Sequence, residues 1–487
     1  MDKLNVLFVA SECAPFVKTG GLADVIGALP KALAAEGANT KIILPNYPAM
    51  AEVSNKGKIV LQIDDLFGGA AKLIEVKSDA LNLLVLDAPH LYNRPGNIYL
   101  DENGQDWGDN HLRFGALCKV AAEIASNGLK GWRPTIVHAH DWQAGLTPLL
   151  IKMANLTNPP KCLFTIHNIA FQGLFDWSIK DFFSIPDEYF NSEGAEYWGH
   201  LGFLKAGLSF SDQITTVSPN YAKELLSPEF GLGLEGLLQA KSHQLSGIIN
   251  GIDLVTWNPE NDEHLAQKYS FKSISKKTKN REVVQDLFGL DKIATAPLFC
   301  VISRLTSQKG LDLLLETIPE LVDLGAQLAL LGTGEKHLED GFVNASKKYN
   351  GHIGVKIGYD ESLSHILQGG CDAILVPSRF EPCGLTQLYG LRYGTIPVVA
   401  SRGGLADTVI DANKNNIKSK LATGIKFEPV TVEALRDAIS RACELYAKPT
   451  VWKTIVKNAM NYPVGWNQSA PAYLSLYKSM ITHKSKK

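Results

Sequence analysis

No Cys-x-x-Cys pair occurs among the seven cysteines, and Cys13, Cys118, Cys162, Cys300, Cys371, Cys383 and Cys443 form an odd, scattered set. That excludes a disulfide framework and points to free thiols in a reducing compartment. No apolar run approaches the roughly 20 residues of a membrane span. The first apolar run, in NVLFVASE, is short and meets Glu12 too soon for a signal peptide, so a cytoplasmic location is expected. An excess of either charge is also missing: 48 Lys and Arg stand against 50 Asp and Glu, a net charge of -2. Such a balance excludes nucleic acid or an acidic membrane as the main partner. Neither a Walker A sequence nor an Asp-x-Asp pair is present, so no metal or other cofactor is expected.

What is present is the composition of a globular protein, 45% hydrophobic and 20% charged, in a 487-residue chain too long for one ordinary core. Short apolar runs alternate with amphipathic stretches. In the first half they are NVLFVA, TKIILP, LNLLVLDA, PTIVHAHD, CLFTIH and QITTVS; in the second, LFCVIS, QLALLG, IGVKIG, AILVPS and IPVVA. Runs apolar throughout suit strands covered on both faces, hence parallel sheets. Residues 23–36 and 311–324, closed by Gly37 and Gly325, read as helices. The fold class is therefore α/β, with two Rossmann-like doubly wound domains. The predicted division is 1–250 and 251–462, with a last helix over 463–487 returning to the first domain. The basic segment FKSISKKTKNREVVQDLFGL near the boundary reads as a solvated surface, with acceptor binding as the alternative, and the closing HKSKK as a frayed tail.

Gly-Gly-Leu-Ala-Asp is spelled twice, in VKTGGLADV and SRGGLADTV, each time between an apolar run and a helical pattern. At such a place Gly20-Gly21 lets backbone N–H groups approach a phosphate at a helix N-terminus, and Gly403-Gly404 repeats the arrangement. Each pair alone also suits a helix starting close to its strand; two copies favour a bound diphosphate. GLGLEG, residues 231–236, follows no strand and is set aside.

SRLTSQKG places Arg304 and Lys309 after the strand LFCVIS, where two cations could neutralise a departing diphosphate. PSRFEPCGLTQLYG puts Glu381 in a loop able to accept sugar hydroxyls, with a helix beginning at Gly384; Cys383 reads as a packed thiol. His167 ends the strand CLFTIH. His138 and His140 share one strand face, but no third metal ligand accompanies them, and Asp141 and Trp142 at that strand's end could contact a sugar.

On KTGGLADV, HAHDW, TIHNIAFQG, INGID, SRLTSQKG, PSRFEPCGLTQLYG and GGLADTV, in that order along essentially the whole chain, the sequence resembles the bacterial glycogen synthases and plant starch synthases. The resemblance implies the GT-B glycosyltransferase architecture, two domains facing each other across a deep cleft. It also implies a retaining hexosyltransferase that moves glucose from ADP-glucose to the non-reducing end of an α-1,4-glucan such as glycogen, without a metal. It assigns Lys18, Gly20 and Gly21 to the donor diphosphate, Arg304 and Lys309 to the leaving ADP, and Glu381, Cys383 and Gly384 to the glucose hydroxyls. Leu385 and Thr386 fall on the phosphate side, His167 and Asn250 near the anomeric carbon, Asp24 on the donor and Tyr359 against adenine. Glu12, Tyr92 and Asp141 fall on the acceptor side.

Two positions depart from the pattern. Arg402 precedes the second Gly-Gly where many members carry Thr, and its role stays open between a phosphate contact and solvent. Tyr389 stands where broader transferases of this architecture carry a second Glu, which favours the glucan synthases. The absence of a leader before NVLFVASE favours a bacterial type. No nucleophile is evident, which favours attack on the leaving-group face over a covalent intermediate. A UDP-glucose or small-acceptor transferase, and a non-catalytic glucan-binding or nucleotide-sugar sensor, are the alternatives.

Overall fold

The computed structural model describes residues 4–482, so the closing HKSKK lies outside the described residues. The chain forms two compact units, one running to Gly251 and resuming at Trp466, the other Ile252–Gly465.

The first unit is built on nine strands: β1 (Asn5–Val9), β2 (Asn39–Pro45), β3 (Lys58–Ile63), β4 (Ala71–Ser78), β5 (Leu81–Asp87), β6 (Ile136–His140), β7 (Lys161–Ile166), β8 (Gln213–Thr216) and β9 (Leu245–Gly247). Their order is β9-β8-β7-β6-β1-β2-β5-β4-β3. Pairing is parallel from β9 to β5 and antiparallel between β5, β4 and β3. The sheet is thus mixed, where the apolar runs predict a parallel one. The hairpin of β3 and β4 escapes that reading because its burial is partial: β3 buries no residue fully and β4 only Ala71, Leu73, Ile74 and Val76, so polar residues interrupt both runs. A small antiparallel sheet of Leu174–Asp176, Glu196–Tyr197 and His200–Gly202 stands apart from it.

In the second unit β10 (Leu298–Ile302), β11 (Gln327–Gly332), β12 (Ile353–Ile357), β13 (Ala373–Val376), β14 (Ile396–Ala400) and β15 (Ile425–Phe427) form one parallel sheet, ordered β12-β11-β10-β13-β14-β15. Alternate residues feed separate cores: Phe299, Val301, Leu328 and Leu330 on one face, Leu298, Cys300, Ala329 and Leu331 on the other. Burial on both sides is why these strands are apolar at every position. The helix Leu311–Asp323 buries Leu311, Leu314, Ile318 and Leu321, the spacing of one helical face.

The basic segment near the boundary is not simply solvated. Lys272, Lys276 and Lys279 are exposed, but the helix Lys277–Phe288 buries Lys277 and Arg281. The Lys277 ammonium donates to Thr395 Oγ1 at 2.6 Å and to the carbonyls of Tyr393 and Gln368 at 3.0 and 3.1 Å, and burial pulls its pKa down to about 8. Arg281 pairs with Asp372. A buried ammonium persists only where acceptors replace water, and here they lock this helix to the second sheet.

The last helix, Trp466–Thr482, belongs to the first unit, where Tyr477 is fully buried and shares a 2.8 Å hydrogen bond with His138 Nδ1. Among the described residues no helix is long and apolar enough to cross a membrane.

Candidate active site

Strand order reverses between β1 and β6 in the first sheet and between β10 and β13 in the second. In open parallel sheets, ligands bind outside the carboxyl ends of strands at such reversals. Glu12, Asp141 and His167 follow β1, β6 and β7; Arg304, Tyr359 and Glu381 follow β10, β12 and β13.

In the first unit Glu12 is a buried clamp. Its carboxylate accepts from the backbone N of Thr19 (2.5 Å), the Thr19 hydroxyl (2.8 Å), the Gly20 N (3.3 Å) and the Tyr99 hydroxyl (2.7 Å). Burial nevertheless raises its pKa above the ordinary carboxylate value. The clamp fixes the turn that presents Lys18 and the exposed start of the helix Gly21–Ala35. Lys18 Nζ lies 2.9 Å from Asp24 Oδ1 in that helix's first turn, so Asp24 orients the ammonium beside the positive helix end. An anion approaching there meets N–H groups, a helix dipole and a lysine together.

Three imidazoles pack together, two on β6 and one just after β7, each tilted on the next. His138 and His140 have ring centroids 4.0 Å apart, and His140 Nδ1 lies 2.9 Å from His167 Nε2. His138 Nε2 shares a 2.6 Å hydrogen bond with Thr165 Oγ1, itself 2.6 Å from Thr215 Oγ1. Burial keeps all three neutral, pushing His167 down to about 3. His138 and His140 are therefore the packed support of His167. Asp141 accepts the His167 backbone N–H at 2.7 Å, and burial raises its pKa to about 7. Its carboxyl thus sets the backbone of the His167 loop. Asn250 is buried with its Oδ1 unsatisfied by any protein group, an acceptor left over at the end of the first unit.

Tyr92 does not join this set. It is fully buried, its hydroxyl donating to the carbonyl of Arg113 at 2.6 Å, so no surface remains to meet a sugar. The resemblance places it on the acceptor side; the structure places it in the core under Arg113.

In the second unit Lys309 Nζ lies 2.6 Å from Glu381 Oε2, which also accepts the Ser378 hydroxyl at 2.8 Å. Glu381 is 7% exposed. Arg304 is exposed and makes no ion pair among the described residues. Its charge is therefore uncommitted, unlike that of Lys309. Tyr359 projects an exposed ring, its hydroxyl donating to Glu361 Oε2, two residues along the chain, at 2.6 Å.

The helix after Glu381 begins at Thr386, not at Gly384, which adopts a left-handed φ of 72° one residue before Leu385, the helix cap. Sequence reasoning missed Gln387. It is fully buried, and its Nε2 donates to the carbonyls of Cys383 and Gly384 (2.9 Å each) and to Thr408 Oγ1 (3.2 Å). The loop carrying Glu381 and Cys383 is thereby tied to the helix Gly403–Thr408. A polar residue inside an apolar stretch is the only signal that could have found it.

The second Gly-Gly does not repeat the first. Gly404 N donates to the carbonyls of Glu381 and Pro382, both at 3.1 Å. A Cβ at Gly403 would lie 2.0 Å from the Glu381 oxygen, and one at Gly404 2.3 Å from the Cys383 oxygen. Nothing lies within 4 Å of the corresponding position on Gly20. The first pair opens a backbone to the outside; the second is a close-packing device that seats the Glu381 loop. Arg402 pairs with Glu428 at 2.7 Å.

No group of three or more His, Cys, Asp or Glu suited to a metal ion occurs among the described residues.

Known proteins resemble the chain throughout its length. The family described as starch synthase catalytic domain matches residues 5–240, and glycosyl transferases group 1 matches 285–459. A glycogen synthase of Roseobacter denitrificans is 58% identical over 98% of this chain and all of its own length. Glycogen synthase 1 of Rhizobium meliloti is 49% identical over 98% and 99%. The catalytic domain of starch synthase IV from Arabidopsis thaliana, bound to ADP and acarbose, superposes with a TM-score of 0.88 at 30% identity, covering 99% of this chain and 100% of that one.

Proposed function

The chain belongs to the glycogen synthase family, and from that premise we propose that it extends an α-1,4-glucan by glucose taken from ADP-glucose. The protein is a glucosyltransferase with ADP-glucose and glucan as its substrates and works in the cytoplasm, in keeping with seven unpaired cysteines.

The observation that carries the assignment of residues is the Lys309–Glu381 pair at the strand-order reversal of the second sheet, with Arg304 free after the neighbouring strand. Breaking the bond between glucose C1 and the diphosphate oxygen leaves negative charge on ADP and oxocarbenium character on the sugar. In the second unit Arg304 and Lys309 answer the first charge; in the first, Lys18 and the Gly20-Gly21 helix start offer a phosphate site of their own. Glu381, oriented by Lys309 and Ser378, accepts hydrogen bonds from glucose hydroxyls. Neutral His167 contributes a hydrogen bond near the anomeric carbon without adding charge, held by His140 and Asp141. The acceptor hydroxyl attacks C1 on the face the diphosphate leaves and passes its proton to the departing diphosphate oxygen, which retains the α configuration. No metal takes part; cationic side chains supply the charge stabilisation.

The test is incorporation of radiolabelled glucose into glycogen from ADP-glucose and, in parallel, UDP-glucose, with EDTA present. Incorporation from ADP-glucose alone is expected. Incorporation only from UDP-glucose would reassign the donor, and none from either, with ADP still bound, would overturn catalysis in favour of sensing.

A further inference from the structure

Trp198 is the most conspicuous side chain that the transfer site does not use. It is 77% exposed at the tip of the hairpin joining Glu196–Tyr197 to His200–Gly202. Both tip residues have left-handed backbones, φ 52° at Trp198 and 80° at Gly199. Two-residue hairpin turns with positive φ at both positions ordinarily take Asn, Asp or Gly at the first, because a bulky residue is strained there. A tryptophan at such a tip loses stability in the backbone and gains none from burial. Strain of this kind marks positions held for binding.

The surroundings are built. Tyr197 meets the indole edge-on, with ring centroids 6.1 Å apart, and its hydroxyl donates to the Leu232 carbonyl. Leu232 and Gly233 both have positive φ, and a Cβ on Gly233 would lie 3.4 Å from Trp198 Nε1 and 2.5 Å from the Tyr197 hydroxyl. The GLGLEG segment set aside as a phosphate loop thus lies beside the Nε1 edge of the indole and leaves its face open. Gln172 donates to the same Leu232 carbonyl at 3.4 Å, and exposed Leu174 and Leu232 widen the apolar surface.

This patch is continuous with the His167 loop. Residues 168–173 run directly from His167 to Gly173, whose carbonyl takes the Phe203 N–H at 2.9 Å, and Gly173 is pressed against the Trp142 ring next to Asp141. An aromatic face edged by a hydroxyl, an amide and a carbonyl matches a pyranose ring, which has apolar C–H faces and a rim of hydroxyls.

We propose that the Trp198 tip, with Tyr197, Gln172, Leu174 and the Leu232–Gly233 turn, is a glucan-binding platform that holds the acceptor polymer at a distance from the transfer site. The inference rests on the reading of the chain as a glucan-extending enzyme, and deepens it by placing a second contact for long acceptors only.

Native electrophoresis of the full chain through gels containing glycogen measures polymer affinity without any turnover. Trp198→Asn is the main variant, since Asn is at home in this turn and preserves the fold. Its affinity for glycogen is expected to fall about tenfold, the worth of one aromatic stacking contact. The KM for glycogen should rise in step, while kcat and both KM values measured with maltotriose as acceptor stay as in the unaltered protein. Trp198→Phe, which retains a ring, should recover much of the affinity. Glycogen affinity of Trp198→Asn equal to that of the unaltered protein would overturn the proposal. So would a dimer lost in Trp198→Asn at unchanged glycogen affinity, which would assign the tip to a second copy. If the unaltered protein transferred glucose neither to glycogen nor to maltotriose, the glucan-synthase reading itself would fail, a result distinct from either.

Discussion

Lys309 Nζ and Glu381 Oε2 lie 2.6 Å apart across the point where the second sheet reverses its strand order, both largely out of water, while Arg304 upstream stands exposed and unpaired. The two cations therefore differ in what their removal does. Arg304→Ala should lower kcat by about 100-fold, the scale for one preorganised electrostatic group, with the thermal midpoint unchanged. Lys309→Ala should lose as much turnover and also about 3 kcal/mol of stability, because it strands a buried carboxylate. Steady-state kinetics with thermal unfolding on both variants separates these; an unaffected kcat in folded Arg304→Ala removes Arg304 from the site.

The glycines of the two Gly-Gly-Leu copies should respond in opposite ways. Gly404→Ala drives a methyl to 2.3 Å from the Cys383 carbonyl oxygen, a backbone atom that cannot swing away, whereas Gly20→Ala meets nothing within 4 Å and needs no positive φ. Overpacking of this kind costs about 2 kcal/mol. Gly404→Ala should show that loss in denaturant titration together with reduced kcat from a displaced Glu381 loop. Gly20→Ala should keep its midpoint and show any defect in the KM for donor alone.

That contrast marks where the sequence was legible and where it was not. All eleven apolar runs lie in strands, because burial on both faces writes itself into every position of β10 or β11. The β3–β4 hairpin escaped because its burial is partial and polar residues interrupt both strands. In the candidate site, His167, Arg304, Lys309 and Glu381 fall after strand carboxyl ends, which run boundaries alone indicate, whereas Glu12 came from the family resemblance. The identical spelling of two Gly-Gly pairs conceals different jobs, since whether a missing Cβ faces solvent or a carbonyl depends on a loop distant in sequence. Tyr92 and His138 were opaque for the same reason: one is buried on Arg113, the other on Tyr477, 339 residues away.

The packed histidines make stability depend on acid. In the folded protein His138, His140 and His167 titrate below the ordinary histidine value, so the unfolded chain takes up their protons first as pH falls through about 6.5. Their contribution is complete above that pH and is lost toward pH 3. Asp141, bonded to the His167 backbone, and Glu12, coupled to Asp141 through their charges, have raised pKa values and act oppositely, since the folded protein binds their protons more readily. Three groups against two leave a net loss on acidification. The thermal midpoint should drop between pH 7.5 and 5.5, and drop less in His140→Gln. Asp141→Asn removes one opposing group, so its drop should be steeper; a shallower one would contradict the raised Asp141 pKa.

Tyr389 decides whether the second glutamate of related transferases could be restored. Its ring stacks on Trp257 at 3.7 Å and 12°, and Trp257 stacks in turn on His365 at 3.8 Å and 10°. His365 Nδ1 lies 2.8 Å from Asp262 Oδ2, which also accepts the Tyr393 hydroxyl at 2.5 Å. The position thus closes a buried aromatic column that already ends on one carboxylate. Tyr389→Glu would set a second carboxylate against the face of an indole, where the ring's negative quadrupole repels it and the stacking contact is lost. Burial of an unpaired charge should cost about 3 kcal/mol or more. The variant is expected to unfold at markedly lower denaturant, to lose that defect partly below pH 5 as the new carboxyl protonates, and to gain no turnover. Tyr389→Phe, which keeps the stack, should remain close to the unaltered protein in both stability and kcat. A stable, active Tyr389→Glu would mean that the column tolerates the charge and that this position is open to the site after all.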